Sequence, residues 1–210
     1  MHKHLALFLA FASLLGCNGM PQVMSEDQPP GFLTVSSGFP IPYLYSGSAV
    51  QWNQDYAVTV RHIPMLSNVV YSCSNGCDMV FFKHPANSPI PKWRGVVSGE
   101  SVAAVGFSPL LVKMKGEGRA KATKIRMSSA DPTAYAVHDG PIVEGMSGGP
   151  VYGGDGAVLG ITVGMVQGEV PRFGDLRDIE RVSLFLPYEV ILKEWQVYNR
   201  TTLPVVANAF

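Results

Sequence analysis

The chain has 210 residues, enough for one ordinary domain or two small packed halves. It is 47% hydrophobic and 15% charged, which excludes general disorder, and its 16 basic and 16 acidic residues cancel. That balance leaves neither the basic footprint of a nucleic-acid binder nor a polybasic membrane patch. The 22 Gly and 16 Pro favour many turns and an all-β fold over long helices.

Residues 1–17 read as a targeting segment. Lys3 supplies a positive start, and Leu5 to Leu15 is an unbroken run of apolar and small residues, too short to span a bilayer comfortably. The run ends in Leu14-Leu15-Gly16-Cys17, which resembles the bacterial lipobox, whose Cys becomes the lipidated first residue of the mature protein. The resemblance implies an exported lipoprotein held in a membrane through Cys17. Asn18, rather than Asp, follows the Cys, which points to the outer membrane facing the periplasm. The alternative is ordinary signal cleavage with Cys17 a spare thiol. Residues 18–30 are polar, Pro-rich and without periodicity, and read as a disordered tether. At about 3.3 Å per residue such a tether reaches roughly 40 Å. The folded domain is expected over 31–210.

Short β-type runs then alternate with turns. They are Leu33–Ser36, Tyr43–Tyr45, Ser48–Trp52, Tyr56–Val60, Val69–Ser72, Met79–Lys83, Ser101–Phe107, Leu110–Lys115, Ala120–Met127, Ala134–His138, Pro150–Tyr152, Val158–Met165 and Val182–Leu186. So many short strands at fairly regular spacing suggest a β-sandwich or paired barrels. Tyr188, Ile191, Leu192, Trp195 and Tyr198 recur at helical spacing after Pro187, which predicts one C-terminal helix.

Cys73 and Cys77 are the remaining cysteines. An exported chain meets an oxidising compartment, so a disulfide across CSNGC is expected, with modest entropic gain from so small a loop. Two Cys cannot close a zinc site and no His lies at metal spacing, so no metal and no cofactor is expected.

The strongest chemical signal is Gly145-Met146-Ser147-Gly148-Gly149-Pro150-Val151. A Ser between glycines has open access and a backbone free to take strained turns. The N–H groups of Gly145 and Ser147 can point into one small space and form an oxyanion hole. The α/β-hydrolase elbow shares a G-x-S-x-G string, but those enzymes place their His after the Ser. Here His2, His4, His62, His84 and His138 all precede Ser147, so the order His, Asp, Ser is the one available. His62 ends the β-run Tyr56-Ala57-Val58-Thr59-Val60-Arg61-His62, with a Thr three residues before it. Asp78 opens the hydrophobic run Asp78-Met79-Val80-Phe81-Phe82. The competing acids Asp55, Asp131 and Asp139 sit in turn-like contexts and read as solvated. His84 and His138 lack the His62 context, although His138 lies close enough to Ser147 in sequence to line a pocket.

These residues resemble the chymotrypsin-like serine proteases, closer to bacterial trypsin-like and HtrA-type domains than to digestive enzymes. Gly47-Ser48-Ala49-Val50 resembles the strand before the catalytic His, and Ser101 to Pro109 resembles the V-x-x-x-G-x-P strand and turn of that family. The resemblance covers roughly Leu44 to Tyr198. It implies an all-β fold of two packed six-stranded antiparallel barrels with a C-terminal helix. It implies Ser147 as nucleophile, His62 as general base and Asp78 as the acid that orients the His ring. The His-to-Asp spacing of 16 residues is short for the family and demands a tight hairpin, where CSNGC would sit. Met146 stands where digestive members carry an acid paired to a new N-terminus, so no such zymogen switch is expected. HtrA proteins carry a PDZ module, which is not expected here.

The same resemblance places Pro141, Ile142, Val163 and Met165 around the substrate pocket. It offers no charge for a Lys or Arg side chain, which implies cleavage of a protein or peptide after small or medium apolar residues. The alternative functions are a catalytically inactive protease-fold lipoprotein acting as a binding module, kept open by Arg61 and the short spacing, and an esterase on the same fold.

Overall fold

The structure is a computed structural model that describes residues 19–25, 28–41, 43–128, 131–166 and 173–202. The expected leader, Cys17 and Asn18 lie outside the described residues, so lipidation is not addressed by the fold.

Twelve strands are present among the described residues, in two antiparallel sheets. The first sheet holds β2 (Phe32–Ser37), β3 (Tyr45–Gln51), β4 (Tyr56–Thr59), β5 (Val69–Ser72) and β6 (Val80–Lys83), in the order β2-β3-β4-β6-β5. The second holds β1 (Gln22–Val23), β7 (Ser101–Phe107), β8 (Lys113–Arg119), β9 (Ala136–His138), β10 (Pro150–Gly153), β11 (Val158–Met165) and β12 (Ser183–Pro187). Its order is β1-β8-β7-β10-β11-β12-β9. A bridge between Ala120 and His138 brings the chain after β8 against β9 and curls the second sheet toward closure. One α-helix follows directly on β12, α1 (Tyr188–Thr202). The fold therefore matches the expected all-β architecture with a C-terminal helix, with strands divided seven and five rather than six and six.

The seventh strand comes from the segment expected to be a tether. Gln22 and Val23 pair with Lys115 and Met114, and Met24 N–H donates to Lys113. Arg181 donates to the Gly19 carbonyl at 2.6 Å. The reason is that β8 has β7 on one side only, and the outward backbone groups of an edge strand accept a further strand whatever its composition. Two residues are too short a pairing to leave a hydrophobic period. The expected boundary at residue 31 is corrected accordingly.

Other differences are local. The expected run Leu110–Lys115 begins as an exposed turn, Leu110 at 85%, before β8. Ala120 and Ile125 form isolated bridges instead of a strand. Tyr43 lies outside β3, while Tyr45 opens it.

The core pattern follows the sequence period. Phe32, Leu33 and Val35 of β2 are buried, and Val158 to Val163 in β11 are buried on both faces. α1 packs its aromatic stripe onto the first sheet, with the Trp195 ring 5.0 Å from Phe81 and 5.1 Å from Tyr56. A helix that starts from the second sheet and packs on the first straps the halves together.

His138 on β9 is fully buried, its Nδ1 accepts from Gly140 N–H, and burial pushes its pKa down to about 4 against the opposing charge of Asp139. Between pH 6.5 and 4 the unfolded chain therefore binds a proton at this site that the folded chain does not. Folding stability should fall on acidification through that window, by about 3 kcal/mol at most from this residue. Denaturant melts across that range should show the fall, and His138→Phe should flatten it.

Candidate active site

The arrangement of β4 and β6 brings His62 to Asp78. The two strands pair antiparallel with Thr59 opposite Val80. His62 lies three residues beyond Thr59 and Asp78 two before Val80, so both emerge from the same end of the pair. The short spacing does not require a single tight hairpin, because it accommodates the whole of β5. CSNGC turns β5 into β6, not β4 into β6. Cys73 and Cys77 are bonded there, Cα atoms 5.5 Å apart.

Asp78 holds His62 at two points. One carboxylate oxygen accepts the His62 backbone N–H at 3.0 Å, and the other meets ring Nδ1 at 2.5 Å. The imidazole is half exposed and the carboxylate mostly buried. The hydrogen bond that ring Nδ1 donates to Asp78 raises the His62 pKa above 6.5, partial burial works against it, and the carboxylate charge adds to the rise.

Ser147 reaches the same place from the second sheet, in the turn before β10. Ser147, Gly145 and His62 line one cavity of about 480 Å3. The Ser147 hydroxyl donates to the Val163 carbonyl at 3.3 Å. Val143 accepts the Met146 N–H at 3.2 Å, closing a turn with Gly145 in its third position at φ +85°. A side chain there is strained, which explains the glycine. Gly148 has φ +82°, and a Cβ on it would lie 2.1 Å from Ser48 O and from Thr59 Oγ1. The Gly145 and Ser147 N–H groups meet no acceptor among the described residues.

Ser48, on β3, fastens this turn. It is fully buried. Its N–H donates to Ser147 O and its hydroxyl to Gly145 O, each at 3.0 Å. That hydroxyl also accepts Phe107 N–H at 3.0 Å, and its carbonyl accepts the Thr59 hydroxyl at 2.6 Å. The sequence singled out GSAV by resemblance but assigned Ser48 no role.

Asp131, read as a solvated turn residue, is buried instead. It accepts Thr133 N–H at 2.9 Å and the Tyr135 hydroxyl at 2.7 Å. Tyr135, fully buried, in turn accepts the backbone N–H of Asp78 at 3.1 Å. Burial works to raise the Asp131 pKa, but these hydrogen bonds and the charge of Arg61 hold it below the usual range. Burial also pushes the Tyr135 hydroxyl well above 10. Arg61 donates to Gly76 O in the disulfide loop. Glu194 of α1 accepts Ser74 N–H at 2.7 Å and Tyr71 OH at 2.8 Å. No sequence signal marked the reach of Tyr135 to Asp78 or of Glu194 to Tyr71, because those partners lie 57 and 123 residues away.

The other candidates lie elsewhere. Asp55 is in the exposed β3–β4 turn, Asp139 pairs with Lys121 at 2.5 Å, and His84 meets Gln51 at 2.9 Å. Pro141 lines a separate polar cavity of about 610 Å3 beside Gly19 and Arg181. Ile142 and Val163 are buried and Met165 is 39% exposed, and none of the three lines the cavity at Ser147. Among the described residues no group of three His, Cys, Asp or Glu is placed to hold a metal ion.

No protein-family model and no curated protein matches the sequence. Solved structures do match. A serine endoprotease from Yersinia pestis superposes with TM-score 0.62 at 20% identity, over 81% of this chain and 63% of that one. The fold is that of the chymotrypsin-like serine proteases. The HtrA-type protease AlgW, solved with a tripeptide, gives TM-score 0.63 at 18% identity over 80% of this chain and 60% of its own. The Rv3671c protease of M. tuberculosis, in an inactive form, gives 0.59 at 16% over 80% and 87%. The chain thus spans less than two thirds of the Yersinia pestis and AlgW chains.

Ser48→Ala should lower stability by about 1–3 kcal/mol, because it leaves the part-buried Phe107 N–H without its acceptor and removes the bond to Gly145. Urea melts with an unchanged m-value would show it; a loss below 0.5 kcal/mol on the same order-of-magnitude scale would mean the hydroxyl is dispensable.

Proposed function

We propose that the protein is a serine endopeptidase that cleaves peptide bonds through an acyl-enzyme, with Ser147 as nucleophile, His62 as general base and Asp78 as the orienting acid. The observation that carries this reading is the paired hold of Asp78 on His62, Nδ1 to one oxygen and backbone N–H to the other, beside Ser147 in one cavity. Asp78 fixes Nδ1 as the protonated nitrogen and leaves Nε2 free to take a proton. For that transfer the Ser147 hydroxyl has to leave the Val163 carbonyl, to which it now donates, for the ring that shares its cavity.

The reaction then follows from the groups present. Ser147 Oγ attacks the carbonyl carbon as its proton passes to His62, and the imidazolium is stabilised by Asp78. The oxyanion is taken by the N–H groups of Gly145 and Ser147, each worth roughly 3 kcal/mol in comparable sites. His62 returns the proton to the leaving amine, and water repeats the cycle on the ester. An intact Ser, His and Asp set favours this reading over an inactive binding module, and peptide against ester substrates separates it from an esterase. The lipobox-like Leu14-Leu15-Gly16-Cys17 supports an exported protein anchored through Cys17 in the outer membrane, facing the periplasm.

Ser147→Ala should abolish hydrolysis and fluorophosphonate labelling; labelling of the Ala variant at the wild-type rate would remove Ser147 from the mechanism. Activity should rise with pH through an apparent pKa above 6.5, since only the neutral ring accepts a proton. Asp78→Asn should reduce turnover roughly ten-thousandfold and move the surviving acid limb to lower pH, because the groups that raise the His62 pKa are gone. A Cys73→Ser/Cys77→Ser variant should lose about 2–3 kcal/mol at most yet label up to about a hundredfold more slowly, since the loop leads straight into Asp78. Early melting with wild-type labelling would make the bridge purely structural.

A further inference from the structure

The cavity shared by Ser147 and His62 has polar and apolar lining in about equal parts. Beyond those two, its apolar walls are Tyr43, Leu44, Ile63, Pro64 and Pro109. They come from the β2–β3 loop, the segment after His62 and the turn after β7. Tyr43 is 75% exposed and Leu44 52%, and the neighbouring turn holds Leu110 at 85%. Large apolar side chains kept in water around a concave site mark a binding surface. Glu144 is the one acid in the lining.

The chemistry assigns a side to this cavity. The amine half of a cleaved peptide leaves with a proton from His62, so it passes the imidazole and the residues that follow it in the chain. Ile63 and Pro64 are those residues, and both wall the cavity. The acyl half stays bonded to Ser147 and lies away from His62. Ile142, Val163 and Met165 do not line this space.

We infer that this cavity receives the residue on the amine side of the scissile bond and selects a large apolar or aromatic side chain there. The inference rests on Ser147 and His62 acting as nucleophile and base. A volume of about 480 Å3 exceeds what one aromatic side chain fills, so the site accommodates the ring together with its backbone. The Glu144 carboxylate disfavours an acidic residue in the same place.

Acyl transfer isolates this side of the site. An activated p-nitrophenyl ester acylates Ser147 and releases p-nitrophenol without any amine-side residue. Added amino-acid amides then compete with water for the acyl-enzyme. The amine nitrogen attacks the ester carbonyl, the C–N bond forms as the C–Oγ bond breaks, and the amine's proton returns through His62 to Oγ. The readout is the yield of new amide with phenylalaninamide relative to glycinamide at equal concentration. That ratio cancels any general change in acylation or deacylation.

Wild type should favour phenylalaninamide by about tenfold to a hundredfold, the scale set by burying one apolar side chain. Tyr43→Ser/Leu44→Ser, two exposed substitutions, should bring the ratio toward one. A wild-type ratio near one, or a ratio the double variant leaves intact, overturns the inference while the protease reading stands. Absence of both p-nitrophenol release and fluorophosphonate labelling in wild type overturns the protease reading, and this inference with it.

Discussion

Ser48 is the joint on which the arrangement turns. Its four backbone and hydroxyl hydrogen bonds tie β3 to the Ser147 turn, to β7 and to β4. A single buried residue of the first sheet thereby sets the height of a turn that belongs to the second. The reverse clamp runs through Tyr135. That residue belongs to the second half of the chain and accepts the N–H of Asp78, which belongs to the first. Each half therefore holds a candidate site residue of the other. A slide of one sheet against the other by 1 Å would lengthen both clamps at once and separate Ser147 from His62.

The supports behind Asp78 are layered. Asp131 orients the Tyr135 hydroxyl, the Cys73–Cys77 loop feeds directly into Asp78, and Glu194 of α1 grips that loop from outside. The grip is possible because α1 is held by its aromatic stripe against Phe81 and Tyr56. Helix packing thus reaches Asp78 through one hydrogen-bonded step, Glu194 to Ser74, and the disulfide-closed loop that follows it. A buried carboxylate such as Glu194 is stabilised only while its donors stay in place, so the loop and the helix order one another.

The pattern of apolar residues made the strands and helix legible, because burial on one face writes a period into the sequence. Ser147 was legible through its flanking glycines, whose positive φ values leave few other residues possible at 145 and 148. His62 and Asp78 were legible as the ends of two hydrophobic runs. What stayed hidden was long-range and polar. Asp131 looks like any acid in a turn until Tyr135 is seen above it, and Ser48 looks like a small strand residue. β1 was missed for a different reason: an edge strand of two residues is recruited by its neighbour's backbone, and backbone leaves no trace in composition. Pro141, which the resemblance put beside the substrate pocket, lines a separate cavity with β8 and the N-terminal segment.

The docking of β1 onto β8 changes the mechanics of any attachment at Cys17. A free segment over 18–30 would act as a leash of roughly 40 Å, letting the body sample a hemisphere. With Gly19 gripped by Arg181 and Gln22 paired to Lys115, only Asn18 separates Cys17 from the folded body, a span of about 7 Å at full stretch. The body would stand on its support like a post rather than swing from it. Its reach would equal its own height, and only chains passing close to that surface would meet Ser147.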